Sequence, residues 1–91
     1  IGEYIVEIVQ STRRQEHVAL GCSPRASLYL MRASQALALF NGRDYVVPDD
    51  VKSLVIPVLA HRMVLKQEAK IRKITAESIL TDILKNIRVP S

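Results

Sequence analysis

Apolar residues recur at intervals of three and four along almost the whole chain, a pattern that predicts helices. The first such segment runs from about Glu3 to Arg14. Another follows Thr75, which we expect to cap a last helix. Its apolar stripe comprises Ile79, Leu80, Ile83, Leu84 and Ile87. Because 91 residues have room for one core, the sequence predicts an all-α fold, a small four-helix bundle in a single domain covering residues 1–91.

The clearest helix start in the sequence is Ser23-Pro24. A serine hydroxyl can accept an amide hydrogen bond from the first turn, and proline at the first helical position loses no bond that would otherwise form. We expect this second helix to be the longest element. It should end at Asn41-Gly42, where glycine can adopt the left-handed terminating conformation.

A third helix is expected to begin at Pro48, with Asp49 and Asp50 in its positively polarised first turn. Pro57 lacks an amide hydrogen and crowds the preceding turn. We therefore expect a kink there or two short helices, from Pro48 to about Val55 and from Pro57 to about Arg62. The segments 18–20 and 63–65 are candidates for a very short two-strand pairing, and 66–73 is expected to be a polar, basic loop.

Thirteen Lys and Arg residues against nine Asp and Glu give a net charge of +4, which permits anionic partners without requiring them. The single cysteine, Cys22, is typical of a reducing compartment, so we expect a cytoplasmic protein. No apolar run approaches the roughly 18–20 residues needed to span a bilayer. The chain opens at Ile1 in mid-pattern, and we expect it to be a piece of a longer protein.

Few residues suggest chemistry within this chain alone. The sequence has no Gly-rich phosphate loop and no cluster at metal-ligand spacing. We therefore assign no metal role to His17 or His61, and we expect Cys22 to be a small, semi-buried apolar group beside the helix start. Asp49 and Asp50 are adjacent and should point in different directions, which favours a role at the helix start. The isolated chain is not expected to be catalytic or to bind a cofactor.

Arg25 is the exception. It lies in the first turn of the best-defined helix, where a cation opposes the helix dipole. Helix amides and a forked guanidinium both suit phosphate oxygens. A solvated surface arginine is the simpler interpretation of any single arginine, so Arg25 alone does not establish an anion site.

Three motifs occur in order: GCSPRAS at 21–27, NGRDYVVPDDV at 41–51 and AHRMVL at 60–65. This ordered set resembles the carboxy-terminal lid subdomain of the MoxR family of AAA+ ATPases. The resemblance is good from Tyr4 to about Leu65, so residues 1–65 are the best-matching part. Residues 66–91, a basic loop and a terminal helix, match less well. Cys22 departs from the family pattern, in which a smaller residue such as Ala is usual.

The resemblance implies that Arg25 has the second-sensor role, reaching the terminal phosphates of ATP when the lid closes on its own ATPase core domain. Ser23 and Pro24 would position the helix. The core domain would hold Mg²⁺ and supply the remaining catalytic groups. The family also implies neighbouring subunits of a ring homo-oligomer and chaperone-like remodelling of a protein client.

Two other interpretations remain. A basic all-α module with a long central helix also resembles histone-fold proteins, which dimerise and contact DNA. Its phosphate contacts would be Arg62, Lys66, Lys70, Arg72 and Lys73. We prefer the lid, because this cluster spans a predicted loop that also contains Glu68, and DNA is not an expected partner. The last helix could also serve as a pure interaction module.

Overall fold

A computed structural model describes residues 1–90 of the chain, which form five helices, one turn of 3-10 helix and two short strands. In chain order the elements are α1 (Gly2–Thr12), β1 (Val18–Leu20), α2 (Arg25–Phe40), α3 (Pro48–Leu59), the 3-10 turn (Ala60–Arg62), β2 (Val64–Leu65), α4 (Gln67–Ile71) and α5 (Ala76–Asn86). The predicted all-α bundle is confirmed. Its four longer helices are those expected from the sequence, and the short α4 lies where a loop was predicted.

The four longer helices bury one face each around a single core. The largest fully buried apolar side chains come from all four of them: Ile5, Ile8, Val9, Leu30, Val51, Val55, Leu59 and Leu80. Helix α2 contributes mostly small residues to this interface, since its buried positions are Ala26, Leu30, Ser34 and Ala38. Small side chains let helix axes approach closely, and α2 packs mainly against α3.

The two strands form the short antiparallel pairing that the sequence allowed. Val18 pairs with Leu65 and Leu20 with Val64, and the Lys66 N–H donates to the His17 carbonyl at 2.9 Å. This pairing fixes the connector before α2 against the segment that follows the 3-10 turn. Both ends of the chain segment from 20 to 64 are therefore held together.

Helix α3 runs without interruption through Pro57, so the prediction of two short helices is wrong. Proline deprives the carbonyl four residues earlier, that of Ser53, of its helical partner. Ser53 and Pro57 are both exposed, so water can bind that carbonyl. Val55 and Leu59 on the buried side of α3 remain packed in the core, and only the end of the helix tightens, into the 3-10 turn.

Two predicted helix boundaries are confirmed in atomic detail. Gly42 has φ +79°, and it is followed by a hydrogen bond of 2.9 Å from the Arg43 N–H to the Ala38 carbonyl, which terminates α2 in a Schellman motif. At α5 the Ser78 N–H donates to Thr75 Oγ1 at 3.1 Å, as expected for a helix cap.

Candidate functional site

The start of α2 is anchored to two other helices through Cys22 and Thr12. The Cys22 N–H donates to Thr12 Oγ1 at 2.9 Å, and the Thr12 hydroxyl donates to the Val9 carbonyl at 2.6 Å. On its other side the Cys22 thiol contacts the Leu59 carbonyl at 3.7 Å. All of these groups are buried, so the position of the residues that lead into α2 is set by the core.

Gly21 is required by a close approach of two backbone segments. A Cβ atom at this position would lie 2.7 Å from the Cα of Arg13 and 2.7 Å from the carbonyl oxygen of Thr12. Side-chain atoms do not approach backbone atoms so closely. The end of α1 and the connector before α2 can therefore touch only because residue 21 has no side chain.

Pro24 begins the helix as predicted, whereas the predicted hydroxyl cap from Ser23 is absent. Pro24 has helical dihedral angles, φ −56° and ψ −28°, and no side chain caps α2. The backbone carbonyl of Ser23 accepts the Ala26 N–H at 2.9 Å, and that of Pro24 accepts the Ser27 N–H at 3.1 Å. Because backbone acceptors already satisfy these amides, the exposed Ser23 hydroxyl is left to solvent.

Arg25 is exposed in the first turn of α2. Within residues 1–90 its side chain takes part in no hydrogen bond, and the ion pairs there join other residues, His17 to Glu16 and Arg43 to Asp50. The guanidinium therefore keeps all of its donors available for a group outside this chain.

A second arginine, Arg62, lies beside Tyr29, one helical turn along α2 from Arg25, and this proximity was not predicted from the sequence. The Arg62 guanidinium lies over the ring of Tyr29, with its central carbon 4.5 Å from the ring centroid. Its Nε donates to the Val58 carbonyl at 3.1 Å. The sequence separates Arg62 from Arg25 by 37 positions, and no local pattern links them.

A groove of about 440 Å³ lies beside the start of α2. Segment 20–24 forms part of its wall, and Arg13 and Arg62 complete the lining. Among residues 1–90, no acidic side chain lines it. The groove is thus a positively charged concave surface built where α1, the connector before α2 and the 3-10 turn meet.

The Cys22 thiol does not add a reactive group to this groove. Burial raises the pKa of Cys22, and the neighbouring Thr12 hydroxyl and the charge of Arg62 offset part of that rise. A raised pKa keeps the sulfur protonated at neutral pH and therefore weakly nucleophilic. Cys22 is a small apolar residue beside the helix start, as predicted, but it is fully buried and not semi-buried.

Asp49 and Asp50 diverge as predicted: Asp49 is exposed, and Asp50 is buried at the start of α3. Asp50 accepts the Val47 N–H at 3.0 Å and two hydrogen bonds from Arg43. The hydrogen bonds from Arg43, then the bond from Val47, lower the pKa of Asp50 to about 2. This carboxylate is therefore a structural anion that joins the start of α3 to the turn after α2.

In the described part of the chain, no three His, Cys, Asp or Glu side chains come together in a way that could hold a metal ion. Nor does any helix between Ile1 and Pro90 combine the length and apolar character needed to cross a membrane. The basic residues proposed for DNA contact are distributed over the 3-10 turn, the residue that precedes α4, α4 itself and the turn that follows it. Of these, Lys70 shares α4 with Glu68.

The sequence matches the AAA lid domain family over residues 10–83, and the chain belongs to that family, within the MoxR-like AAA+ ATPases. A crystal structure of a candidate ATPase from Cytophaga hutchinsonii superposes with a TM-score of 0.93 at 33% identity. The superposition covers 99% of this chain and 30% of that one.

Two relatives carry the similarity in sequence. The uncharacterized protein YeaC of Bacillus subtilis is 53% identical over 99% of this chain and 28% of its own length. The chaperone MoxR1 of Mycobacterium tuberculosis is 39% identical over 97% of this chain and 26% of its own length. The chain thus spans between a quarter and a third of these relatives. Neither they nor the superposed structure support the histone-fold alternative.

Proposed function

We propose that this chain is the lid that closes over ATP bound to an adjoining ATPase core domain, with Arg25 contacting the terminal phosphate. The observation that carries the proposal is the exposure of Arg25 together with its lack of a partner. Its guanidinium is exposed at the start of the longest helix and has no partner within residues 1–90. An arginine in that position is unfavourable for the helix dipole, and an anionic ligand provides the compensating charge.

The residues present fit the polyphosphate of ATP but do not fit its metal ion. Arg25, Arg13 and Arg62 offer guanidinium donors, which match phosphate oxygens in geometry and charge. The described residues offer no cluster of carboxylates for Mg²⁺, so the core domain would hold it. When bound, Mg²⁺ would neutralise part of the negative charge of the β- and γ-phosphates.

The roles of the neighbouring residues follow from their contacts. Pro24 presets the first helical turn, and the Ser23 carbonyl accepts an amide of that turn. Cys22 and Thr12 hold this turn to the core through a hydrogen bond of 2.9 Å. Arg25 is thereby presented from a fixed helix end. A charge-assisted hydrogen bond of this kind contributes about 1.5–3 kcal/mol.

The larger assembly is part of the same proposal. Loss of the terminal phosphate would release Arg25 and allow the lid to open. In a ring of subunits, the opening of the lid would displace the neighbouring subunits. Remodelling of a protein client in the cytoplasm would follow. The chaperone name of the Mycobacterium tuberculosis relative supports this part.

The test uses the full-length ATPase that carries this chain. Arg25→Ala and Arg25→Lys are compared with Arg32→Ala, which removes another exposed arginine two turns further along α2. Steady-state ATPase rate and affinity for ATP are measured. We expect Arg25→Ala to reduce one or both by about tenfold or more, Arg25→Lys to reduce them less, and Arg32→Ala to leave them unchanged. An Arg25→Ala protein with wild-type rate and affinity would overturn the proposal.

A further inference from the structure

We infer that Arg62 is a second phosphate-directed residue of the same site, positioned by the ring of Tyr29 to bind the polyphosphate of the nucleotide. The inference rests on the proposed function, because it requires the start of α2 to face a nucleotide. It adds a residue from a different part of the chain, the 3-10 turn after α3.

The first argument is position. Tyr29 follows Arg25 by four residues, so the two side chains share one face of α2. The Arg62 guanidinium lies 4.5 Å from the centre of the Tyr29 ring and therefore stands on that same face. Arg62 also lines the groove beside Ser23 and Pro24. The fold thus brings the 3-10 turn alongside the helix end that carries Arg25.

The second argument is the way in which Arg62 is held. Its Nε donates to the Val58 carbonyl at 3.1 Å, and its central guanidinium carbon lies over the tyrosine ring, 4.5 Å from the centroid. Both contacts leave the two terminal nitrogens, Nη1 and Nη2, without a hydrogen-bond partner within residues 1–90. The side chain is thus already held in place by Nε and by the tyrosine ring, while Nη1 and Nη2 are open to a ligand. Such a side chain loses little conformational entropy when it binds an anion.

The third argument is charge. Arg13 and Arg62 line one groove beside the helix that begins with Arg25, and no carboxylate from the described residues lines that groove. Arg43 differs from these arginines, because its guanidinium has a carboxylate partner, the buried Asp50, at 2.7 Å. Like charges brought together without a counter-charge repel one another. A polyphosphate supplies the missing negative charge.

The experiment measures nucleotide binding by calorimetry in the full-length ATPase. The ligands are a non-hydrolysable ATP analogue, ADP and AMP, and the melting temperature of each variant is recorded as well. Arg62→Gln and Tyr29→Leu are compared with Arg32→Gln, the matched control for loss of one positive charge from the same region. Arg25→Gln is included as the reference for the proposed function.

We expect Arg62→Gln to weaken binding of the ATP analogue about tenfold, the loss of one charge-assisted contact. Its effect should decrease for ADP and vanish for AMP, because the contact is with the outer phosphates. Tyr29→Leu should also weaken binding most for the ATP analogue and least for AMP, but by a smaller factor than Arg62→Gln. It removes the ring that supports the Arg62 guanidinium and keeps the positive charge. Arg32→Gln should bind all three ligands like the wild type.

Two outcomes would overturn the inference while leaving the proposed function intact. In one, Arg25→Gln weakens binding and Arg62→Gln behaves like Arg32→Gln. In the other, Arg62→Gln lowers the melting temperature and weakens all three nucleotides equally, which identifies the stack on Tyr29 as a structural contact only. If Arg25→Gln binds like the wild type while Arg62→Gln selectively weakens the ATP analogue, the proposed role of Arg25 fails and the contact from Arg62 stands.

Discussion

Arg43 and Asp50 are joined by two parallel hydrogen bonds of 2.7 Å, which connect the turn after α2 to the first turn of α3. The Schellman motif at Gly42 delivers Arg43 to this place, and the Val47 N–H gives Asp50 a third donor. A paired, fork-shaped contact of this kind fixes direction as well as distance. The pair therefore sets the angle at which the two main helices of the bundle follow one another.

Replacement of Asp50 by Asn should lower the free energy of unfolding at pH 7. The pKa of Asp50 in the folded chain is lowered to about 2 from 3.8, so its stabilisation is complete above the unfolded pKa and is lost as the pH falls through the folded one. The difference between wild type and Asp50→Asn should consequently shrink from pH 4 to pH 2. Urea denaturation at several pH values measures it, with the exposed neighbour Asp49→Asn as control. A difference that is constant down to pH 2 would contradict the predicted linkage.

Gly42→Ala should destabilise the chain by about 1–2 kcal/mol, since a residue with a Cβ is strained in the left-handed conformation. Gly2→Ala is the matched control, because Gly2 is helical and an added Cβ would only reach an ordinary contact of 3.9 Å with Met31. That control should be neutral or slightly stabilising. Urea denaturation of both variants is the measurement. Equal stabilities would show that the turn at Gly42 tolerates a side chain.

Gly21→Ala should be destabilising for a different reason. The new methyl group would collide with backbone atoms of Arg13 and Thr12, and such overpacking costs about 1–3 kcal/mol. Since the collision pushes the connector before α2 away from α1, the hydrogen bond between Cys22 and Thr12 should also weaken. Amide hydrogen exchange at Cys22 reports this bond directly. Unchanged protection at Cys22 would sink the prediction.

The Cys22 thiol should react slowly with a disulfide reagent in the folded chain. Its sulfur is buried and its pKa is raised by that burial, so both access and thiolate fraction are low. Because Cys22 is the single cysteine of the chain, the rate at which a chromogenic disulfide reagent releases its coloured thiolate at pH 8 measures the reaction of Cys22 alone. We expect a rate at least about 10²-fold below that of the chain in denaturant. Comparable rates would falsify the buried placement.

Local signals in the sequence were sufficient for most of the fold. Pro24 and Gly42 mark the two ends of α2 because each restricts or permits one backbone conformation. At Pro57 the same local rule failed, since the core contacts of Val55 and Leu59 hold α3 together and the lost hydrogen bond faces water. Helix α4 was missed because five residues with one buried side chain, Ala69, show no periodicity.

The candidate site was predictable only in its local part. Arg25 follows the Ser23-Pro24 start directly, so sequence alone placed it at a helix end. The approach of Arg62 to Tyr29 depends on the length of α3 and on the pairing of β1 with β2. Those are properties of the whole chain, and no spacing between the two residues could indicate them.

Helix α2 is one unbroken rod of 16 residues with Arg25 at one end and Phe40 at the other. Such a rod is about 24 Å long, so a tilt of about 10° at its base moves its tip by about 4 Å. The Phe40 ring is 77% exposed at that tip. Because α2 is packed into the bundle, such a tilt would move the whole lid as one body, and a rotation of about 10° about the Arg25 end would carry the Phe40 ring across a distance comparable to its own width.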